Sequence, residues 1–198
     1  MSQPTLQEII TAHTDALAAH SEEFLPAIRL LLLQGAGPAS PERLAAAMHW
    51  TRSEVEAFLH SSGLVVGAEG NIQMRAGSGC ALDTLLAPML TGHVARVVST
   101  CTATGRQIRL TATAQGSRDL DPQSAVLSLR LPGRETNASN AQATICAYGH
   151  FFVDREAAST WPGLHPEAVL LSVGDAARLA EALASAARRY AEKDATHV

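Results

Sequence analysis

Cysteine and aspartate side chains near the middle of the chain are the first candidates for chemistry. Cys80 and Asp83 lie in the segment GSGCALDTLLAPMLTG, and the whole sequence contains three cysteines. If a helix begins at Cys80, its unpaired backbone N–H groups would stabilise a thiolate and lower the pKa of the thiol. Asp83 would share that helical face and point back toward the same turn. This arrangement would give a reactive thiol with a carboxyl group beside it.

The same pair has a structural interpretation, which the spacing alone favours. Asp83 would then be an ordinary first-turn acid stabilised by the helix dipole. Cys80 would be a small buried residue, because free cysteine is among the most buried residue types. Gly77 and Gly79 predict a flexible loop immediately before the pair.

The other two cysteines have different surroundings. Cys101 ends the apolar segment ARVVSTC and has no acid or base close to it in sequence, so we expect a packed structural thiol. Cys146 lies in ATICAYGHFF, which we interpret as a strand with Cys146, Tyr148 and His150 on one face. A histidine beside two phenylalanines is more typical of a core or rim position, so His150 is assigned a supporting role at most.

Zinc, disulfide and redox chemistry are poorly matched by the cysteine spacing. Structural zinc sites usually have paired ligands a few residues apart, and here only Cys146 and His150 are close together. No Cys-x-x-Cys motif is present, which argues against a thiol redox protein. An odd number of cysteines also disfavours a disulfide framework. We therefore expect free thiols.

Composition excludes several classes of partner. The 198 residues are 46% hydrophobic and 17% charged, so a buried core is feasible. Residues 1–75 carry four basic and eight acidic side chains, and residues 76–198 carry eleven of each. Neither part has the basic excess that nucleic acid binding requires. We find no secretory signal at the N-terminus and no apolar run long enough to cross a membrane, so a cytoplasmic location is expected.

Apolar periodicity and helix-capping residues predict four helices in the N-terminal part of the chain. Apolar periodicity predicts a first helix over residues 6–19, and a second is expected over residues 23–33 with Pro26 in its first turn. Ser40 before Pro41 marks the start of a third helix. Thr51 and Glu54 have the spacing of a capping box for a fourth.

A hairpin is predicted immediately after the fourth helix. Gly63 is expected to end that helix, and LVVGAEGNIQM then supplies two short strands with turn residues at 67–71. Two capped helices and a hairpin are typical of a winged helix. DNA binding is disfavoured, because Glu54 and Glu56 on the second of these helices would face phosphates with only Arg52 to offset them.

The second part of the chain is richer in strand signals. Strands are expected within residues 93–101, 106–114, 124–132, 143–153 and 168–173, and TNASNAQA is interpreted as a polar loop. A closing helix over residues 175–193 would place Leu179, Leu183 and Ala187 on one face, with Asp175 near its start. The predicted fold class is α+β: a helical winged-helix-like domain at 1–75, then a mixed β-sheet catalytic domain with a C-terminal helix at 76–198.

Two quoted segments carry a resemblance to a known family. CALDTLLAPMLTGHVARVVSTCTATG, followed downstream by ICAYGHFF, resembles the organomercurial lyases (alkylmercury lyases) of bacterial mercury resistance. The resemblance implies that Cys80 and Cys146 are the mercury-binding pair, that Asp83 is the acid and a further candidate ligand, and that Cys101 is structural. It is looser over the N-terminal helices.

The sequence departs from the family pattern at two positions. Family members often have an aromatic residue just before the first reactive cysteine, where this chain has Gly79. Some also have a further cysteine beside the second reactive one, where this chain has Ala147. The first departure bears on how the organic group is held, and the second removes a thiol.

The chemistry implied by the resemblance suits the residue types. Mercury is a soft metal, for which thiolates are natural ligands. Two thiolates would weaken the carbon–mercury bond, and an aspartate would carry a proton to carbon, giving a hydrocarbon and Hg(II). The resemblance implies organomercurial substrates, no redox cofactor, a small thiol as co-substrate, and transfer of Hg(II) to a mercuric reductase. The alternative is a non-catalytic mercury-binding sensor or carrier.

Overall fold

The computed structural model describes residues 3–62, 64–67, 72–74, 80–161 and 163–195. The helices are α1 (Leu6–Ala19), α2 (Ser21–Gly35), α3 (Pro41–Met48), α4 (Arg52–Ser61), α5 (Asp83–Thr91), α6 (Ala141–Thr144), α7 (Arg155–Thr160) and α8 (Val173–Ala195). The strands are β1 (Leu64–Val66), β2 (Ile72–Met74), β3 (Ala95–Thr100), β4 (Gln107–Thr113), β5 (Gly116–Asp121), β6 (Val126–Arg130), β7 (Phe151–Phe152) and β8 (Ala168–Ser172). A 3₁₀ helix covers Cys146–Tyr148. The α+β class predicted from sequence is confirmed.

Side-chain caps set the starts of the N-terminal helices. The Ser40 hydroxyl accepts the Arg43 N–H at the start of α3, and Thr51 and Glu54 form the predicted reciprocal capping box at α4. Helix α2 begins at Ser21, earlier than expected, so Pro26 lies in its second turn and not in its first. Acidic residues in the first turn favour this earlier start through the helix dipole.

Helices α3 and α4 and the β1–β2 hairpin share a small core. Its buried members are Leu30, Ala39, Leu44, Val55, Leu59 and Ile72. The hairpin is antiparallel, with Leu64 opposite Met74. Of the predicted turn and stop residues, Gly67 is described, whereas Gly63 and residues 68–71 lie outside the described part of the chain. Helix–helix–hairpin order is thus confirmed, and the winged-helix assignment stays a prediction.

Two antiparallel three-stranded sheets form the second part. The strand order is β3-β4-β5 in one sheet and β7-β6-β8 in the other. Along β4, buried Ile108, Leu110 and Ala112 alternate with more exposed residues, as expected for a strand with one face on a core. In β6, Val126 to Leu129 are all buried, as befits the central strand of its sheet.

Strand β5 and helix α7 were not predicted. The sequence of β5, GSRDLD, is largely polar with no fully buried residue, and pairing with β4 holds it in place, with Thr113 opposite Gly116. Helix α7 is short and is capped by the Asp154 carboxylate, which accepts the Ala157 N–H at 2.7 Å. Both elements depend on neighbours rather than on a strong local pattern.

The predicted strand over residues 143–153 is wrong. Helix α6 and the 3₁₀ helix occupy its first part, and only Phe151–Phe152 is extended. Asn140 ends a tight turn, and its carbonyl group accepts hydrogen bonds from Ala143 and Thr144 N–H groups, which winds the chain into a helix. Cys146, Tyr148 and His150 therefore do not share one face of a strand.

Helix α8 organises the larger core. Leu179, Leu183 and Ala187 are all buried, which confirms the predicted apolar face. Helix α8 packs against both α1 and α5, and the Arg188 side chain donates a hydrogen bond to the carbonyl oxygen of Met89 in α5. Helix α5, which begins at Asp83, is thereby fixed on the body of the protein.

The first helix also belongs to the larger core. Ile9 of α1 and Leu25 and Ile28 of α2 are buried in the same cluster as the strands of the second part. The division into domains at 1–75 and 76–198 stays a prediction. None of the helices formed by the described residues has both the length and the hydropathy needed to cross a bilayer.

Candidate active site

Cys80 lies just outside the helix that carries Asp83. Helix α5 begins at Asp83 with Leu82 as its N-cap, so the expectation that the helix begins at Cys80 is wrong. Residues 80–82 form a turn in which the Cys80 carbonyl oxygen accepts the Thr84 N–H at 3.3 Å. Gly77 and Gly79, the predicted loop, lie outside the described residues.

Asp83 points back at the turn that precedes its helix. Its Oδ2 accepts a hydrogen bond from the backbone N–H of Cys80 at 2.8 Å. The contact holds the carboxylate beside the thiol, as the spacing of the two residues predicted. Because the N–H donor is part of the backbone, the carboxylate has a fixed rather than a mobile anchor.

Cys146 meets this pair from a distant part of the chain. Its Sγ lies 4.0 Å from Oδ2 of Asp83, within hydrogen-bond range for a thiol donor. One ligand atom each from Cys80, Asp83 and Cys146 lie within 4.8 Å of one another. The structure therefore brings together the three residues that the resemblance assigned to the reactive set.

The environment of Cys80 raises the pKa of its thiol well above the ordinary value of 9.0. A side-chain hydrogen bond with Cys146 is the largest cause, followed by burial and by the negative charge of Asp83. Burial and a neighbouring anion both disfavour the thiolate. The expectation of a lowered pKa from a helix start is therefore wrong, and Cys80 retains its proton at neutral pH.

Gly149 allows the two cysteine segments to approach closely. A Cβ atom at this position would lie 3.0 Å from Cβ and 3.2 Å from Sγ of Cys80. Its carbonyl oxygen also accepts the Ala81 N–H at 3.1 Å, which joins the two segments directly. Sequence reasoning missed this residue, although a glycine three positions after a candidate ligand is a signal for close backbone approach.

Ser128 fixes the segment that follows Cys146. This fully buried serine donates from Oγ to the carbonyl oxygen of Tyr148 at 2.7 Å and accepts the His150 N–H at 3.3 Å. Its own N–H donates to the His150 carbonyl oxygen at 2.9 Å. Sequence reasoning missed it too; the signal was a lone polar residue in the apolar run AVLSL.

Cys101 is not a member of the cluster. It is buried at the turn between β3 and β4, where its N–H donates to the Arg106 carbonyl oxygen and its carbonyl oxygen accepts the Gly105 N–H, both at 2.8 Å. These contacts confirm the predicted packed thiol.

His150 lies beside the cluster and not in it. Its Nε2 is 3.0 Å from the carbonyl oxygen of Ala147, and its ring packs edge-on against Trp161 at 5.2 Å between centroids. The imidazole also lines a cleft that reaches Cys80. The supporting role expected for His150 stays a prediction. Ala147 is exposed, and Gly79 lies outside the described residues.

Two thiols and one carboxyl group in this geometry suit a soft metal ion. Thiolates bind soft metals in preference to hard ones. The carboxylate lies close enough to Cys146 to accept a thiol proton and to return it to a nearby atom, which is general acid–base chemistry. Binding alone would require only the sulfurs.

Comparisons with known proteins point to one family. A sequence model of the family described as alkylmercury lyase matches residues 70–185. The chain is 31% identical to an alkylmercury lyase of Pseudomonas putida, over 83% of this chain and 86% of the relative. It is also 31% identical to an alkylmercury lyase of Streptomyces lividans, over 93% of each.

A solved structure supports the fold. The crystal structure of the mercury-bound form of MerB2 is similar with a TM-score of 0.63, and the match covers 91% of this chain and 99% of that one. Sequence identity between the two is 18%, so the likeness concerns the arrangement of helices and strands.

Proposed function

Because this chain belongs to the alkylmercury lyase family, we propose that it cleaves carbon–mercury bonds at Cys80, Asp83 and Cys146. The observation that carries this assignment is the convergence of two sulfurs and one carboxylate within 4.8 Å. The two cysteines bind the mercury of the substrate, and Asp83 moves the proton that ends on carbon.

The first step is ligand exchange at mercury. The substrate arrives as an organomercury cation bound to a small thiol, and a cysteine thiol of the enzyme replaces that ligand. A sulfur–mercury bond forms, the bond to the small thiol breaks, and the cysteine proton leaves with the departing thiol. No electrons are transferred, so the step needs no redox cofactor.

The second step transfers a proton to carbon. The Cys146 thiol is hydrogen-bonded to Asp83, so its proton passes to the carboxylate as the sulfur binds mercury. Two sulfur ligands add electron density to mercury and make the attached carbon more basic. Asp83 then protonates the carbon, the carbon–mercury bond breaks, and a hydrocarbon and Hg(II) held by both sulfurs result.

The backbone contact of Asp83 supports its role in this step. The Cys80 N–H holds Oδ2 at 2.8 Å, which fixes the carboxylate beside the sulfurs and supports its proposed role in protonating carbon. General acid–base catalysis by a positioned side chain contributes about 10²–10⁴-fold to rates. Mercury storage alone requires only the two sulfurs, so an acid at this position favours catalysis over storage.

Release of the product needs outside help. Hg(II) held by two thiolates leaves only when other thiols replace them, so we propose that small thiols assist and that a mercuric reductase receives the metal. The resemblance to the family supports this partner. A cytoplasmic location, expected from composition, fits such a transfer and stays a prediction.

The direct test is product analysis. Purified protein is incubated with phenylmercury and an excess of a small thiol, and benzene and inorganic Hg(II) are measured. We expect equal amounts of both, with no benzene in a parallel sample of the Cys146→Ser variant. Phenylmercury that binds tightly without releasing benzene would instead identify a mercury carrier.

A further inference from the structure

Asp83 lines a largely apolar groove between helices α2 and α5. Helix α2, helix α4, strand β1 and helix α5 form its walls, and its apolar side chains are Leu30, Leu31, Phe58, Leu64 and Leu86. We call it the α2–α5 groove. Its volume is about 190 Å³, compared with about 150 Å³ for an apolar protein cavity that binds benzene. An aryl ring therefore fits.

Asp83 is one of the residues that line the groove. Leu86 and Ala87 follow Asp83 by three and four residues in α5, so all three lie on one helix face, and all three line the groove. On its other side Asp83 contacts the Cys80 N–H and the Cys146 sulfur. Asp83 thus belongs both to the cluster of sulfurs and to the lining of the apolar groove.

The reaction fixes which part of the substrate lies near this boundary. Asp83 must protonate the carbon attached to mercury, so that carbon is beside the carboxyl group while mercury is between the sulfurs. The remainder of the organic group extends from the carbon. The α2–α5 groove is lined by the proton donor Asp83, whereas the cleft at Cys80 is not, among the described residues.

A second cleft reaches the cluster at Cys80, and its chemistry is different. Hydroxyl-bearing residues Ser99, Thr100 and Thr102 contribute to its lining, together with His150. Transfer of a hydrocarbon group from water to apolar surroundings is favourable by about 25 cal/mol per Å² of surface buried. The apolar groove at Asp83 offers that gain, whereas the hydroxyl-lined cleft suits a metal ion or a small polar thiol.

We propose that the α2–α5 groove binds the organic group of the substrate and makes the enzyme selective for aryl over methyl groups. This inference rests on the proposed function. A phenyl ring fills the groove and contacts Leu31 and Leu86, and a methyl group does not extend beyond the carboxylate. Helices α2 and α4 thus contact the organic group and determine selectivity, although they carry none of the three reactive residues.

The test compares two substitutions that fill the groove, called fillers below, with a matched control substitution outside it. Leu31→Trp places a large side chain in the groove, and Ala87→Leu is a smaller filler on a different helix. Leu32→Trp makes the same change one residue along α2, where the side chain lines a shallow hollow against α8. For each protein, affinity and kcat/KM are measured with phenylmercury and with methylmercury, using competition with a small thiol for affinity.

The selectivity ratio is the readout. Both fillers should lower the phenyl-to-methyl affinity ratio about tenfold, as expected when an apolar subsite is blocked, and Leu32→Trp should leave it unchanged. An unchanged ratio in both fillers would overturn the proposal. Failure of the lyase function would show separately, as the absence of benzene and methane, while the affinity ratio would still test the groove.

Discussion

Oδ2 of Asp83 lies 4.0 Å from Sγ of Cys146, although 63 positions separate the two residues in the chain. The same oxygen accepts the backbone N–H of Cys80. One carboxylate oxygen is therefore shared between the two cysteine segments. This arrangement supports the proposed role of Asp83, in which the carboxylate carries a proton from the Cys146 sulfur to the carbon bound to mercury.

The two kinds of cysteine should respond differently to removal. Cys146→Ser should abolish hydrocarbon release, because serine is a poor ligand for a soft metal. Cys101→Ala should retain turnover and lose only some thermal stability, because this buried thiol is not one of the three described residues whose ligand atoms converge. Benzene release and thermal unfolding curves measure both effects. Loss of turnover in Cys101→Ala with an intact fold would contradict the assignment of a structural thiol.

A side chain at Gly149 should damage the site. Its Cβ would lie 3.0 Å from Cβ of Cys80, so Gly149→Ala must shift one of the two segments. We expect a loss of turnover of up to about 100-fold, which a displacement of about 1 Å can cause, and a stability loss of about 1–3 kcal/mol.

Gly174→Ala is the control for that variant. A Cβ at Gly174 meets only the Ser172 hydroxyl at 3.8 Å, so turnover and stability should stay close to those of the unmodified protein. Equal activity of the Gly149 and Gly174 variants would show that close packing at Cys80 is dispensable.

Alkylation should distinguish the two reactive cysteines. The pKa of Cys80 is raised by its hydrogen bond with Cys146, by burial and by Asp83, so the thiol stays protonated at neutral pH. Iodoacetamide at pH 7 should label the half-buried Cys146 before Cys80, and labelling of Cys80 should increase as the pH rises above 9. Peptide mass spectrometry measures each position. Labelling of Cys80 at pH 7 at the rate of an exposed cysteine would contradict the raised pKa.

His13 should make the fold sensitive to acid. Burial lowers its pKa below the ordinary 6.5, and its Nε2 has no hydrogen-bond partner among the residues that the structure describes. Below pH 6.5 His13 is protonated in the unfolded chain but stays neutral in the folded protein until its lower pKa is reached. The free energy of unfolding therefore falls as the pH decreases. The slope reaches at most about 1.4 kcal/mol per pH unit for one proton.

Chemical denaturation between pH 7.5 and 5 checks this dependence. His13→Leu should remove part of the loss of stability at acid pH, and His60→Gln, at an exposed position, should retain it. An identical pH dependence in the His13 variant and the unmodified protein would mean that other groups cause the acid sensitivity.

Local signals in the sequence were sufficient for much of the fold. The caps at Ser40 and Thr51 and the apolar face of α8 predicted helices that the structure contains. The Cys80–Asp83 spacing likewise predicted a carboxylate turned back toward the thiol. These features depend on residues within one or two helical turns, where the chemistry of capping and periodicity decides the outcome.

Features that depend on distant partners were missed. Apolar residues between 143 and 153 resemble a strand, but hydrogen bonds from Ser128 and the turn at Asn140 determine the actual path. The approach of Gly149 to Cys80 is likewise set by the packing of two segments. Periodicity holds no information on such contacts, and Cys146 became a candidate ligand through the family resemblance.

The Asp83→Asn variant gives the most direct test of the central claim. Asparagine retains the size of aspartate and a carbonyl oxygen that can accept the Cys80 N–H, and it has no acidic proton to give. We expect phenylmercury to bind stoichiometrically and benzene release in a single turnover to slow by about 10²–10⁴-fold. Benzene release at the rate of the unmodified protein would contradict the role of Asp83 as proton carrier.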